Sequence, residues 1–345
     1  MRRPFHCADA CPDSAYRGGV RHDDRRILAL AVPALGALVA EPLFLATDTA
    51  FVGHLGVAPL AGLGIGATVL QTTIGLLIFL AYATTPTVAR LLGAGDRRGA
   101  VRAGIDGIWL AIALGAVLAV VGPFAAHPLV ASFGADAEVT EYAAIYLGIS
   151  TAGLPAMLAV IAATGLFRGL QDARTPLVIA VVGFGANIAL NAVLIYGFGW
   201  GIAGSAIGTV VAQWGMAVAS LVIAARHARA VGAPLRPALP GVATAAKAGG
   251  WMLLRTVTLR VALVATVVTA TSLGTVTLAS TQVLFQITFL FALALDAFAI
   301  AAQSLIGHDL GAGDRRQLRG IVTRVLVWGL GSGVVLGAML AAAAP

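Results

Sequence analysis

Charge is what this sequence has least of. Only 11% of its 345 residues are Asp, Glu, Lys or Arg, where a water-soluble domain carries about a quarter. Hydrophobic residues reach 59%. A chain so poor in polar side chains cannot cover a soluble fold, which excludes the two soluble domains its length would otherwise suggest. The mean hydropathy of +0.94 agrees. The sequence reads as an all-α integral membrane protein embedded in a lipid bilayer.

Other absences narrow the function. The two cysteines, Cys7 and Cys11, make no disulfide framework, and with His6 and His22 they match no zinc spacing. They are expected to be free thiols in a polar tail. Residues 1–26 contain no apolar segment before Arg25, so they are not a secretory signal but an expected disordered cytosolic tail. The net charge is +7 and the pI about 10.2, yet no basic stripe interleaves with aromatics, so nucleic acid is not an expected partner. No HExxH, nucleophile elbow or paired catalytic aspartates are present. The chain is therefore not expected to be an enzyme, and no cofactor is implied.

What is present is a series of long apolar runs. Spans of about 20 residues are predicted at 27–52, 60–89, 104–126 and 142–167. Residues 175–225 carry no charge at all, and Gly197-Phe198-Gly199-Trp200-Gly201 divides that stretch into a fifth and a sixth span. The seventh, eighth and ninth follow at 249–271, 276–306 and from 321 to the end. All 22 Lys and Arg fall in the tail, in alternate loops or at one end of the spans, whereas the opposite loop carries Asp136, Glu138 and Glu141. This asymmetry places the N-terminus inside.

An internal repeat organises the chain. Leu92-Gly93-Ala94-Gly95-Asp96-Arg97-Arg98 recurs as Leu310-Gly311-Ala312-Gly313-Asp314-Arg315-Arg316, 218 residues later. The same offset aligns Leu55-Gly56 with Leu273-Gly274. Both copies lie in inner loops, so an even number of spans separates them. Six-helix units in the same orientation form a parallel repeat with a cavity between two lobes. The expected parts are a first lobe at 27–230, a cytosolic linker at 231–247 and an incomplete second lobe at 248–345. A second unit as long as 29–246 would reach 464, so about nine of twelve spans are expected here.

Ionisable groups at membrane depth are costly and mark functional sites. Asp48 lies about 10 Å below the outer surface on the first span. Asn187 and Asn191 share one face of the fifth span, and Thr209 and Gln213 share one face of the sixth, at comparable depth. A carboxyl among amides and a hydroxyl suits reversible binding of H⁺ or Na⁺, because desolvation raises a carboxyl pKa while donors to its ionised form lower it. Asp48 would be the carrier and Asn187, Asn191 and Thr209 its shell. Pro33, on the same helix, removes a backbone hydrogen bond and marks a hinge. Glu41 lies on roughly the same side as Asp48 and is expected to meet substrate or Arg260, and Asp296 to serve the second lobe.

Several of these residues stand in familiar strings. Glu41-Pro42-Leu43-Phe44 and Asp48-Thr49-Ala50-Phe51-Val52-Gly53-His54-Leu55-Gly56 resemble the first-helix signature of the multidrug and toxic compound extrusion (MATE) transporters. Leu166-Phe167-Arg168-Gly169-Leu170-Gln171-Asp172 with Thr175-Pro176 resembles the loop after their fourth helix, and the run from Asp296 to Gln303 resembles their eighth. The first-helix aspartate points to the DNA-damage-inducible F branch. The resemblance implies a V of two six-helix lobes in the plasma (inner) membrane, acting as a monomer and exporting amphipathic or cationic drugs by cation-coupled antiport. It carries the cation site onto Asp48, Asn187, Asn191 and Thr209, and the bending first helix onto Pro33. Where some members carry an aspartate on the fifth helix, Asn191 stands here, which favours H⁺ over Na⁺ because one carboxylate is a thin shell for a metal. Two other functions compete: a flippase for lipid-linked or oligosaccharide precursors, which needs a cationic cavity for which only Arg260 offers itself, and a non-transporting fragment.

Overall fold

A computed structural model describes residues 12–343. Among them the chain is almost wholly helical, without a strand. Its helices are α1 (Pro12–Gly53), α2 (Val57–Leu77), α3 (Phe79–Gly93), α4 (Arg97–Ala131), α5 (Ala137–Ser150), α6 (Leu154–Gly169), α7 (Arg174–Asn191), α8 (Gly201–Ala230), α9 (Leu239–Ser272), α10 (Thr275–Ala312) and α11 (Arg315–Ala343). α2 and α3 make one span interrupted at Ile78, and α5 and α6 make one through the 3-10 turn Thr151–Gly153. Nine helices long and apolar enough to cross a membrane result among the described residues. Their outer faces expose Val120, Phe124, Val182, Val264 and Val334, which lipid tails solvate.

The first helix begins earlier than expected. Residues 12–26 belong to α1 rather than to a disordered tail. Tertiary contacts supply the reason: Ile27 is fully buried with Leu305 and Ile321, and Asp24 accepts from Arg324 and, at 2.9 Å, from Trp328 Nε1. Arg26 approaches Asp309 at 3.8 Å. His6, Cys7 and Cys11 lie outside the described residues, as does the side chain of His22.

Each copy of the repeated string folds alike, for reasons legible in its residues. Gly95 (φ 82°) and Gly313 (φ 74°) end α3 and α10 in the left-handed conformation that glycine adopts without strain. Asp96 then caps α4 by accepting from Gly99 N at 2.7 Å, and Asp314 caps α11 by accepting from Gln317 N at 2.9 Å. At the opposite ends, Gly56 and Gly274 also hold positive φ, 125° and 109°.

The two copies also pack on one another. A Cβ on Gly93 would collide with the carbonyl of His308, and one on Gly311 with the carbonyl of Arg90. Gly93 and Gly311 are equivalent in the repeat, and so are Arg90 and His308, so the contact is reciprocal about a pseudo-twofold axis. On that axis a Cβ on Gly307 would meet Ala89 Cβ, its own repeat partner, at 3.0 Å. Bare glycine lets helix backbones approach, and the resulting van der Waals contact drives association where lipid offers no hydrophobic gain. This contact closes α3 against α10 at the arginine-rich end of the bundle.

Within the first six spans, α3, α4 and α6 build the main core from Phe79, Val88, Ile108, Leu158, Leu166 and Phe167. Thr85 Oγ1 reaches the carbonyl of Gly165 on α6 at 3.2 Å. The start of α9 is fastened to α4: buried Asp106 accepts from Ala238 N at 2.9 Å, and Trp109 Nε1 donates to the Leu235 carbonyl at 2.9 Å. Asp106 thus caps a helix it does not belong to.

Candidate functional site

Asp48 lies five residues before the end of α1 and is 3% exposed. α1 is seated on α7 by the stacked rings of Phe44 and Phe184, 5.1 Å apart. Tyr196 Oη donates to the Phe51 carbonyl at 3.0 Å. On α7, Asn187 and Asn191 are one turn apart and both buried. On α8, Ser205 and Thr209 are likewise one turn apart and buried.

These side chains form one hydrogen-bonded chain across three helices. Asn191 Nδ2 donates to Asp48 Oδ1 at 2.9 Å and, with its second hydrogen, to Asn187 Oδ1 at 3.2 Å. Asn187 Nδ2 passes the chain on to Thr209 Oγ1 at 3.0 Å. Ser205 Oγ donates to the same Asp48 oxygen at 2.7 Å. Tyr146 of α5 is buried with its phenol beside the Asp48 carboxyl. Among the described residues these contacts to the carboxyl are donors, and none is a cation. Directly after Asn191 the backbone widens into a π-helical segment, Ala192–Gly197, an irregularity frequent at functional sites.

One polar atom in the chain is left over. Asn191 Oδ1 is buried without a hydrogen-bond partner and lies against Gly208, where any Cβ would collide with it. In this conformation Asn191 turns N–H rather than oxygen toward Asp48, and Asn187 Oδ1 is engaged.

Not every expected residue joins this chain. Gln213 sits two turns beyond Ser205 on α8, but its amide oxygen packs against Gly153 in the 3-10 turn. There the neighbouring Trp214 Nε1 donates to the Ala152 carbonyl at 3.1 Å. Gln213 is thus drawn to the α5–α6 corner and away from Asp48. Arg260 lays its guanidinium against Gly75 of α2, and Asp296 is exposed on α10; both stand outside the Asp48 chain. The side chain of Glu41 lies outside the described residues. Pro33 is inside α1, which runs on through it and through Pro42. Ser205 and Tyr146 were not anticipated. Ser205 was legible, being one turn before Thr209 on the same face; Tyr146 comes from another span and carried no sequence signal.

The spans, their apolar exteriors and a buried carboxyl among neutral donors define a multi-pass membrane protein. Comparison with known proteins makes this specific: the MatE family model matches residues 33–193 and 252–345, and the chain belongs to that family. It is 30% identical to Protein DETOXIFICATION 44, chloroplastic, of Arabidopsis thaliana over 99% of this chain and 66% of that one. It is also 30% identical to DNA damage-inducible protein F of Escherichia coli, over 86% of this chain and 65% of that one. The chain thus spans slightly under two thirds of the length of these relatives. Its fold is similar to a solved multidrug resistance MATE family transporter of the MOP superfamily in an outward-facing conformation. There the TM-score is 0.80 at 25% identity, covering 92% of this chain and 72% of the other.

Proposed function

We propose that the protein is a proton-coupled antiporter that exports small amphipathic molecules by alternating access between two lobes, one formed by the first six spans. The observation that carries this reading is the buried Asp48 carboxyl, held by neutral donors from α7 and α8 beside the phenol of Tyr146. Family membership and the printed name of the solved multidrug transporter support export.

Protonation changes what Asp48 asks of its neighbours. An ionised carboxylate only accepts hydrogen bonds, and a protonated one must also donate. Asn191 holds an unpartnered oxygen ready for that role. Turning its amide over presents Oδ1 to the new O–H, and breaks the bond to Asn187 on which the link to Thr209 depends. The polar chain joining α1, α7 and α8 is thereby exchanged for another, and the cleft changes shape as the proton arrives. Pro33, about 22 Å along α1 from Asp48, is the point where the helix yields. The closed glycine contact between α3 and α10 supports the assignment of this conformation as open to the outside, where protons enter.

The test is dye efflux from proteoliposomes with pH and sodium gradients imposed separately. Efflux driven by the pH gradient alone is expected. Efflux that needs the sodium gradient and ignores pH would overturn the coupling ion, and no efflux under either would overturn transport.

A further inference from the structure

A groove at the arginine-rich end of the bundle takes no part in the Asp48 chain. It holds about 270 Å³ between α3, α4 and α9, and its walls include Phe79, Leu80, Leu91, Leu110 and Ala248. On α4 it extends from Gly99 to Leu110, about 16 Å of helix. That is the depth of one leaflet, half of a hydrocarbon core about 30 Å thick. Arg102 lines the groove near its inner end. It is exposed, as is Arg98 one turn before it, and among the described residues neither enters an ion pair. Asp106, one turn after Arg102, is already committed: one oxygen accepts from Ala238 N at 2.9 Å, and the other lies against Gly241. The Arg102 guanidinium is left at the mouth of an apolar slot.

The internal repeat supplies a comparison. Its offset of 218 residues maps Leu80, Asp106 and Leu110 onto Phe298, Arg324 and Trp328, which line a second groove between α1, α10 and α11. There the arginine is answered from within, Arg324 Nε donating to Asp24 Oδ1 at 2.9 Å, and Gly320 stands where Arg102 does. The two grooves share their place in the fold and an apolar lining, but only the first presents a cation that calls for an anion from outside. Lipids of the cytoplasmic leaflet carry such anions at this level, and their acyl chains solvate the apolar wall beyond it. We propose that the groove between α3, α4 and α9 binds an anionic phospholipid of the inner leaflet, its phosphate held by Arg102 and Arg98 and one acyl chain laid along Phe79, Leu80 and Leu110. So seated, the lipid touches α4 of the first six spans and α9 of the following unit, and it braces the closed inner end. Such binding is independent of what the protein exports.

The test is native mass spectrometry of the purified full chain in detergent. The probes are palmitoyl-oleoyl phosphatidylglycerol, which is anionic, and phosphatidylcholine with the same chains, which is zwitterionic. Wild-type protein is expected to retain a first phosphatidylglycerol at least about fivefold more than phosphatidylcholine, the discrimination one arginine adds toward an anionic lipid. Arg102→Gln should remove most of that preference. Arg229→Gln, exposed near the end of α8 and outside the groove, should leave it unchanged, which separates the groove from the general attraction of a basic inner face. Ala248→Phe, at an exposed position on the groove wall, should weaken retention of both lipids by filling the slot. Equal retention of the two lipids by the wild type, equal effects of Arg102→Gln and Arg229→Gln, or undiminished retention in Ala248→Phe would overturn the site.

Discussion

The amide oxygen of Asn191 rests against Gly208, in a gap that one methyl group would fill. Because the opposite end of that amide donates to Asp48, the size of residue 208 controls the carboxyl's environment from a neighbouring helix. Gly208→Ala should displace Asn191, destabilise the protein by about 1–3 kcal/mol and slow pH-driven efflux at least about tenfold. Gly215→Ala, on the same helix with nothing nearby, should leave both unchanged. Thermal melting and proteoliposome efflux of the two variants check this.

Ser205 and Asn191 donate to the same oxygen of Asp48, so their contributions should not add. Ser205→Ala and Asn191→Ala are each expected to reduce pH-driven efflux. The double variant should depart from the product of the two effects by at least about 0.5 kcal/mol, the coupling typical of residues in one network. A double-mutant cycle on efflux rates measures it, and strict additivity would separate the two donors.

The reciprocal contact between repeat copies makes a symmetrical expectation. Gly93→Ala and Gly311→Ala each drive a methyl group into a backbone carbonyl of the other copy. Each should lower stability by about 1–3 kcal/mol. Together they should cost less than the sum, because one separation of α3 from α10 relieves both collisions. Gly329→Ala, in open space on α11, should be close to neutral. Denaturation of the four variants decides.

Asp106 caps α9 from α4. Asp106→Ala should free the segment 231–238 and hasten tryptic cleavage at Arg236, while Asp106→Asn, which keeps an acceptor oxygen, should resist. Loss of a cap typically costs about 1 kcal/mol, enough to raise the population of the open segment several-fold.

The spans and their number followed from apolar run length, and the repeat from seven identical letters, because both depend on local composition. Asp48, Asn187, Asn191 and Thr209 were grouped from shared depth and one-turn spacing, and in the structure they are hydrogen-bonded. What the sequence could not convey depends on side chains meeting across helices. Gln213 had the right face and depth, but packing at Gly153 claimed it. Tyr146 enters from a span with no periodic reason to face Asp48. The helical start of α1 depends on Asp24 finding Arg324 and Trp328 some 300 residues away. Arg168 was placed in a loop by its charge, yet it lies in the last turn of α6, where its carbonyl accepts from Ser304 of α10.

The most direct measurement is proton release on ligand binding. Purified protein in weakly buffered solution receives a transported dye while a pH indicator reports protons. Wild-type protein is expected to release close to one proton per bound dye, and Asp48→Asn, still folded and still binding dye, to release none. Undiminished proton release from Asp48→Asn would contradict the assignment of that carboxyl as the carrier.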